Sequence, residues 1–190
     1  FAGGMRRITE ELAPGIAAGY DWPQGGVVCD VAGGVGTLLA AVLRARPDTR
    51  GLLVDSRGVL AEADAWLSSI GLRDRVELRD GDIFTRVDAE ADVYLLKDVL
   101  HDWGDPACAQ ILATVRATMS PGSRLLVVED LQERNEPHPI ASLTDLQMLT
   151  QCDDGRQRSA AELQALLEAA GLRPGSVTPT SGQTIVEGLA

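Results

Sequence analysis

Short apolar segments of strand length alternate with longer amphipathic segments through most of this chain of 190 residues. The apolar segments cover residues 27–31, 52–55, 76–79, 93–96 and 124–128, and the amphipathic ones cover 38–44, 60–70, 107–119 and 160–170. A strand that is apolar on both faces is typical of a parallel sheet with helices packed on both sides. The alternation therefore predicts βαβ units and an α/β fold with a mostly parallel sheet.

The two ends of the chain depart from this alternation. Residues 5–19 predict a leading helix, and a turn-rich linker continues to about residue 24. Near the C-terminus, predicted strands at 176–180 and 184–187 flank Ser181 and Gly182, a pair typical of a hairpin turn. We therefore expect residues 1–190 to form one domain whose sheet is closed by an antiparallel hairpin.

The charge balance excludes two classes of partner. The chain has 17 Lys and Arg against 28 Asp and Glu, a formal net charge of −11, whereas nucleic acids and anionic membranes attract clustered basic side chains. No apolar segment approaches the ~18 residues of a membrane span. The three cysteines are far apart and form no CxxC pair, which is typical of a reducing cytoplasm. No group of residues has the spacing of metal ligands, so we expect no metal.

A glycine-rich loop follows the first predicted strand. The segment DVAGGVG at residues 30–36 ends that strand and opens a helix, and Gly33, Gly34 and Gly36 would let a ligand approach the helix N-terminus closely. The third glycine of the dinucleotide fingerprint G-x-G-x-x-G is absent, which counts against a nicotinamide cofactor. Asp30 and the lack of a P-loop lysine count against a polyphosphate. A tight turn without a ligand remains the alternative.

Carboxylates follow the next two predicted strands. Asp55 ends the second strand, about 20 residues beyond the glycines, where an acid can accept hydrogen bonds from a ribose diol. Asp82 follows the third strand beside Ile83 and Phe84, a combination that suits the exocyclic amine and the flat face of adenine. Each acid taken alone could be a solvated loop residue. Together with the glycine loop, these residues predict an adenosine site.

A histidine follows the fourth predicted strand in the segment LKDVLHDW at residues 96–103. Open α/β sheets bind ligands at this edge, and an imidazole can take a proton from a hydroxyl near neutral pH. His101 is therefore the candidate general base, and Glu129 after the fifth strand is a candidate to orient or support it. The alternatives are a structural histidine and, for Glu129, a helix cap or a surface acid.

The glycine loop and the LHDW motif, in this order, resemble the catalytic domain of the S-adenosylmethionine-dependent O-methyltransferases that act on phenols and polyketides in plants and actinomycetes. The resemblance extends over essentially the whole chain. It implies a Rossmann-like class I methyltransferase fold with a seven-stranded sheet. It also implies methyl transfer from S-adenosylmethionine to a hydroxyl of an aromatic or polyketide-like molecule, with S-adenosylhomocysteine as product, in the secondary metabolism that makes antibiotics.

The resemblance also implies a role for individual residues. The glycine loop with Asp30 would hold the methionine portion of the donor, Asp55 its ribose, Asp82 with Ile83 or Phe84 its adenine, and Lys97 would border it. His101 would be the base and Glu129 the acid beside it. Met148 would pack on the aromatic acceptor, and Asp102 and Trp103 would lie on the acceptor side.

Several positions depart from the family's usual residues. Gln157 stands where many members have a second supporting acid, so it can form a hydrogen bond but cannot stabilise an imidazolium by charge. Ala32 stands where the family has a glycine, and an alanine is expected there only with a negative φ. Asp98 replaces a bulky residue.

Family members also carry an N-terminal helical domain that dimerises and supplies part of the acceptor pocket. We expect the present chain to begin after that domain, either as a separate catalytic piece that is monomeric by itself or as part of a larger or split assembly. Two alternatives remain open: a relative that binds the donor but catalyses a hydroxylation, decarboxylation or pericyclic step, and a non-catalytic binding module.

Overall fold

The computed structural model describes residues 2–133 and 154–190, with the side chains of 7–133 and 154–190. The seven strands are β1 (Val27–Val31), β2 (Arg50–Asp55), β3 (Val76–Asp80), β4 (Val93–Lys97), β5 (Arg124–Glu129), β6 (Arg173–Pro179) and β7 (Thr184–Leu189). The helices are α1 (Ala2–Gly19), α2 (Thr37–Ala45), α3 (Arg57–Ser69), α4 (Asp105–Arg116) and α5 (Ala160–Ala169), and two short 3₁₀ turns lie at Arg73–Arg75 and Leu100–Asp102. No helix among these described residues is long and apolar enough to cross a membrane.

The seven strands form one sheet in the order β3-β2-β1-β4-β5-β7-β6. Strands β1 to β5 pair in parallel, while β7 is antiparallel to both β5 and β6. The predicted α/β class, the mostly parallel seven-stranded sheet and the C-terminal antiparallel pair are therefore confirmed.

The core consists of two apolar layers, one on each face of the sheet. Successive side chains of a strand point to opposite faces. In β4, Val93 and Leu95 accordingly pack into the layer that contains α1, α2 and α3, while Tyr94 and Leu96 pack into the layer of α4 and α5. Burial on both faces explains why the central strands are apolar at most positions, and it confirms the expectation of helices on both sides.

The helix ends follow local side-chain chemistry. Ser159 caps α5: its Oγ accepts a hydrogen bond from the Glu162 N–H at 3.3 Å, and Glu162 Oε2 accepts one from the Ser159 N–H at 2.9 Å. Gly171 follows the helix with φ of +80°. The structure differs from the predicted bounds at α3, which begins at Arg57 rather than at residue 60, because Arg57 and Gly58 add no apolar side chain to the periodic pattern.

Candidate active site

The carboxyl ends of the parallel strands meet at one edge of the sheet, where the predicted site residues lie. Chain order reverses between β1 and β4, since β2 and β3 continue on one side of β1 and β5 lies on the far side of β4. Such a reversal leaves a crevice at this edge, where ligands bind in open α/β sheets. The glycine loop follows β1, Asp55 ends β2, and the LHDW motif follows β4.

The glycine loop is hydrogen-bonded to the end of β2. Asp55 Oδ2 accepts a hydrogen bond from the Gly34 N–H at 2.9 Å, and Asp55 Oδ1 accepts one from the Ser56 N–H at 2.7 Å. Gly34 and Gly36 have φ of +62° and +84°, a region that favours glycine. A Cβ on Gly33 would lie 2.4 Å from Asp30 Cγ. Each of these glycines is thus required by backbone geometry or by close approach.

Ala32 corrects one expectation. Its φ is +55°, in the left-handed region, and not negative. The reason lies in its surroundings: the Ala32 N–H donates to Val54 O at 2.8 Å, so the chain must turn out of β1 while still bonded to β2. A glycine in this place avoids the strain that an L-residue has there, about 1–2 kcal/mol.

Next to this loop is an open cavity of about 610 Å³. Its lining comprises Ala32, Val54, Asp55, Ser56 and the segment 80–86. Asp82 Oδ1 accepts a hydrogen bond from the Phe84 N–H at 2.9 Å, which folds the segment into a turn. The structure therefore brings together Asp55, Asp82, Ile83 and Phe84, the four residues predicted for ribose and adenine.

Asp30 lies against Gly33 and Lys97 ends β4, and neither lines that cavity. Asp30 is 1% exposed. Burial raises the pKa of this carboxyl to about 7, although the Lys97 charge and a hydrogen bond from the Leu39 N–H lower it. The Lys97 ammonium is paired with Asp98, whose Oδ1 accepts a hydrogen bond from Gln183 Nε2 at 2.6 Å. Lys97 therefore reaches this edge with its charge already compensated by Asp98.

His101 is buried, and the atoms around it hold its backbone and its ring. Its N–H donates to Glu129 Oε1 at 3.1 Å, and Gln157 Nε2 lies 3.1 Å from its Nδ1. Asp102 Oδ1 lies 3.4 Å from its Nε2. Which of the two groups donates in the contact between Gln157 and His101 depends on the imidazole tautomer. Glu129 thus contacts the backbone of His101, whereas Gln157 and Asp102 face the ring.

Glu129 is fully buried at the end of β5, which excludes the surface-acid alternative. Burial raises the pKa of its carboxyl to about 7 against the opposing charge of His101, and the Asp98 charge raises it further. Its Oε2 has no hydrogen-bond partner among the described residues. Glu129 is therefore a second buried acid that titrates near neutrality at this edge.

An aromatic contact joins the cavity to the histidine motif. The rings of Phe84 and Trp103 meet edge to face, with centroids 4.7 Å apart and an interplanar angle of 83°. Trp103 is 36% exposed, so part of its surface stays open to a ligand. Met148 lies outside the described residues. Among the residues that are described, no three His, Cys, Asp or Glu side chains are grouped to hold a metal ion.

Sequence reasoning missed Arg158 and Gln183, which lie among these residues. Arg158 donates to the backbone of the turn that carries His101, and Gln183 donates to Asp98. Arg158 directly follows Gln157, so its adjacency to a predicted site residue was an available signal. Gln183 lies between the two predicted hairpin strands and had no such signal.

Comparison with known proteins matches residues 4–173 to the O-methyltransferase domain family. The chain belongs to this family. This O-methyltransferase domain is 41% identical over 189 residues to O-demethylpuromycin-O-methyltransferase of Streptomyces alboniger, covering 97% of the present chain and 50% of that protein. It is 42% identical over 173 residues to the mitomycin biosynthesis 6-O-methyltransferase of Streptomyces lavendulae, covering 91% and 49%.

A solved relative is NcsB1, an O-methyltransferase from neocarzinostatin biosynthesis, in complex with S-adenosylmethionine and 2-hydroxy-5-methyl naphthoic acid. It shares 36% identity with this O-methyltransferase domain at a TM-score of 0.90, covering all of the present chain and 56% of NcsB1. The chain thus spans about half the length of the curated relatives it matches. The family and the class I O-methyltransferase fold are confirmed.

The cavity fits S-adenosylmethionine in its volume, its charge and its hydrogen-bond acceptors. Its volume lies within the roughly 300–1,000 Å³ of small-molecule sites. Three carboxylates line it against one guanidinium, an excess of negative charge that suits a cationic ligand. Each Asp55 oxygen accepts one backbone N–H and keeps further acceptor capacity for a diol.

Proposed function

We propose that this O-methyltransferase domain binds S-adenosylmethionine and transfers its methyl group to a hydroxyl of an aromatic or polyketide-like small molecule. The observation that carries the proposal is His101, buried after the central strand β4 and contacted at Nδ1 by Gln157, beside an acid-lined cavity of nucleoside size. The relatives reported above are methyltransferases by name, which disfavours a non-methylating reaction or a binding module.

The donor would lie along the ends of β1, β2 and β3. Asp55 accepts from the ribose hydroxyls, Asp82 accepts from the adenine amine, and Ile83 and Phe84 cover the adenine face. Gly33, Gly34 and Gly36 leave room for the methionine portion, with Asp30 and Lys97 beneath it. When bound, S-adenosylmethionine supplies an electrophilic methyl group on a cationic sulfur.

His101 acts as the general base through Nε2. A neutral imidazole that accepts a proton at Nε2 carries its own proton on Nδ1, and the Gln157 amide oxygen accepts from that N–H once its amide is rotated by about 180°. His101 takes the acceptor's hydroxyl proton as the oxygen bonds to the methyl carbon, and the electrons of the broken C–S bond remain on sulfur. The protein otherwise contributes alignment, and alignment can lower a barrier by several kcal/mol.

The acceptor would lie against Trp103 and Asp102, and the family resemblance adds Met148 as a residue that packs on an aromatic acceptor. The rest of the acceptor wall comes, in this proposal, from the part of the relatives' length that the present sequence does not span, and dimerisation through that part stays a prediction. The present chain is then the donor-binding catalytic unit.

The test combines binding and turnover in the purified protein. We expect His101→Ala to keep its affinity for S-adenosylhomocysteine in calorimetry while turnover of hydroxynaphthoic acids falls about 10²–10⁴-fold. Asp55→Ala should weaken S-adenosylhomocysteine about 10–100-fold, since hydrogen bonds to a charged group contribute about 1.5–3 kcal/mol. Asp64→Ala is the control, because this exposed acid pairs with Arg73 away from the cavity. A flat titration of the wild type, or full turnover by His101→Ala, contradicts the proposal.

A further inference from the structure

Arg158 is a fully buried arginine whose guanidinium contacts the turn that carries His101. Its Nη1 donates to Leu100 O at 2.8 Å, and its Nη2 donates to Trp103 O at 2.7 Å. Nη2 and Nε also donate to Asp105 Oδ1 at 2.7 and 3.0 Å. One side chain therefore bonds the carbonyl before His101, a carbonyl after it, and the first turn of α4.

The turn has little hydrogen bonding of its own. It is a single 3₁₀ turn, held within itself by long bonds from the Asp102 N–H to Val99 O at 3.3 Å and from the Trp103 N–H to Leu100 O at 3.2 Å. A 3₁₀ turn has poorer hydrogen-bond geometry than an α-helix. The position of His101 thus depends on groups from outside the turn: Glu129 at its N–H, and Arg158 at the carbonyls on either side.

The charge of Arg158 is compensated at one end of this contact. Asp105 Oδ1 accepts hydrogen bonds from the Arg158 guanidinium, and these bonds lower the pKa of the Asp105 carboxyl. A planar guanidinium can serve several acceptors in one fixed arrangement, which an ammonium cannot. Arg158 therefore holds residues 100–103 at a set distance from α4, while Gln157, its neighbour in the chain, contacts the His101 ring.

We propose that Arg158 is a positioning residue for His101: it holds the turn at residues 100–103 so that the imidazole meets the acceptor hydroxyl. The inference rests on the proposed function, because it assigns Arg158 to the base of that reaction. It predicts that loss of the guanidinium affects the proton-transfer step and the order of the turn, and leaves donor binding intact.

The variants are Arg158→Met, Arg158→Lys and the matched control Arg156→Met. Arg156 lies two residues away and also pairs with Asp105, but it is partly exposed and its guanidinium bonds Glu162 and Asp105 instead of the carbonyls of Leu100 and Trp103. Removing Arg158 does not leave the Asp105 carboxylate buried and unpaired, because that side chain is 54% exposed and still pairs with Arg156. Cys108 Sγ stays 3.3 Å from both carbonyls.

We expect Arg158→Met to lower kcat about 10²-fold, the typical cost of a small misplacement. KM for the acceptor and Kd for S-adenosylhomocysteine should stay within about threefold, since the interaction acts on the chemical step. Arg158→Lys should recover little of the loss, because an ammonium cannot serve the carbonyls of Leu100 and Trp103 and the Asp105 carboxylate in one fixed arrangement, and Arg156→Met should match the wild type. The inference is overturned if Arg158→Met retains kcat, or if Arg158→Met and Arg158→Lys lose donor binding to the same degree as turnover.

A second readout separates this inference from the proposed function. Amide hydrogen exchange should accelerate at residues 100–103 in Arg158→Met and stay unchanged at 107–116. The His101 ring resonance, assigned by its loss in His101→Ala, should shift in the same variant and not in Arg156→Met. If the wild type transfers no methyl group, the proposed function fails, yet these measurements still decide whether Arg158 holds the turn. If Arg158→Met does not fold, Arg158→Lys and Asp105→Asn carry the same comparison, and unchanged exchange in both overturns the inference.

Discussion

Glu129 makes the stability of this protein depend on pH in a direction opposite to that of an ordinary surface acid. Burial raises the pKa of its carboxyl from 4.5 to about 7. The folded protein therefore holds this proton more tightly than the unfolded chain does. The associated stabilisation is fully present below pH 4.5 and is lost as the pH rises to about 7.

The substitution Glu129→Gln removes the titration and keeps an acceptor for the His101 N–H. A shift of this size corresponds to about 2 to 3 kcal/mol between pH 5 and pH 8. The free energy of unfolding of Glu129→Gln minus that of the wild type should rise by this amount over the range and level off above pH 7. A constant cost of burying the new amide N–H groups does not change the slope, so the slope is the measured quantity.

Urea unfolding at matched ionic strength provides the measurement, and Glu187→Gln provides the control. Glu187 is also a buried acid. Although burial raises its pKa, hydrogen bonds from Tyr20 and Ser176 and the charge of Arg124 lower it more, so its pKa lies below the ordinary value. The difference between Glu187→Gln and the wild type should be flat from pH 5 to 8. A flat or falling difference for Glu129→Gln would refute the argument.

Two further predictions concern stability. Arg75→Met should lower the free energy of unfolding in urea by about 2–3 kcal/mol. The reason is that the Arg75 guanidinium donates at 2.7–3.0 Å to Leu43 O, Arg46 O and Thr49 O at and just after the end of α2. Arg57→Met is the control, because it removes only an exposed ion pair and should cost at most about 0.5 kcal/mol. Ala32→Gly should leave the free energy of unfolding unchanged or raise it by up to about 1 kcal/mol, because glycine relieves the strain of a positive φ. At a negative φ the same substitution would cost about 0.5–1 kcal/mol. A loss of stability in Ala32→Gly would therefore contradict the left-handed conformation of residue 32.

The layers and the order of the elements could be predicted because the pattern of apolar residues within a short segment shows which of its faces are buried. A strand such as Val27–Val31, covered on both faces, is apolar at nearly every position, so its bounds follow from five consecutive residues. The capping box at Ser159 and Glu162 likewise involves residues three apart. Patterns of this kind need no knowledge of the rest of the fold.

The contacts that shape the candidate site join residues far apart in the chain. Arg158 and Leu100 are separated by 58 positions, Gln157 and His101 by 56, and Glu129 and His101 by 28. The left-handed conformation of Ala32 depends on its bond to Val54 in the neighbouring strand. The family resemblance placed Glu129 and Gln157 near His101, but no local pattern contains these partners, so the bonding atoms and the role of Arg158 could not be inferred.

The sequence by itself determined the α/β fold, the position of the glycine loop and the acids at the strand ends, because hydrophobic burial and glycine geometry act over a few neighbouring residues. Only the tertiary structure decided how His101 is held and that Asp30 and Glu129 are buried enough to titrate near pH 7. The physical reason is that desolvation depends on every atom packed around a group, and those atoms come from strands and helices that meet only in the folded chain.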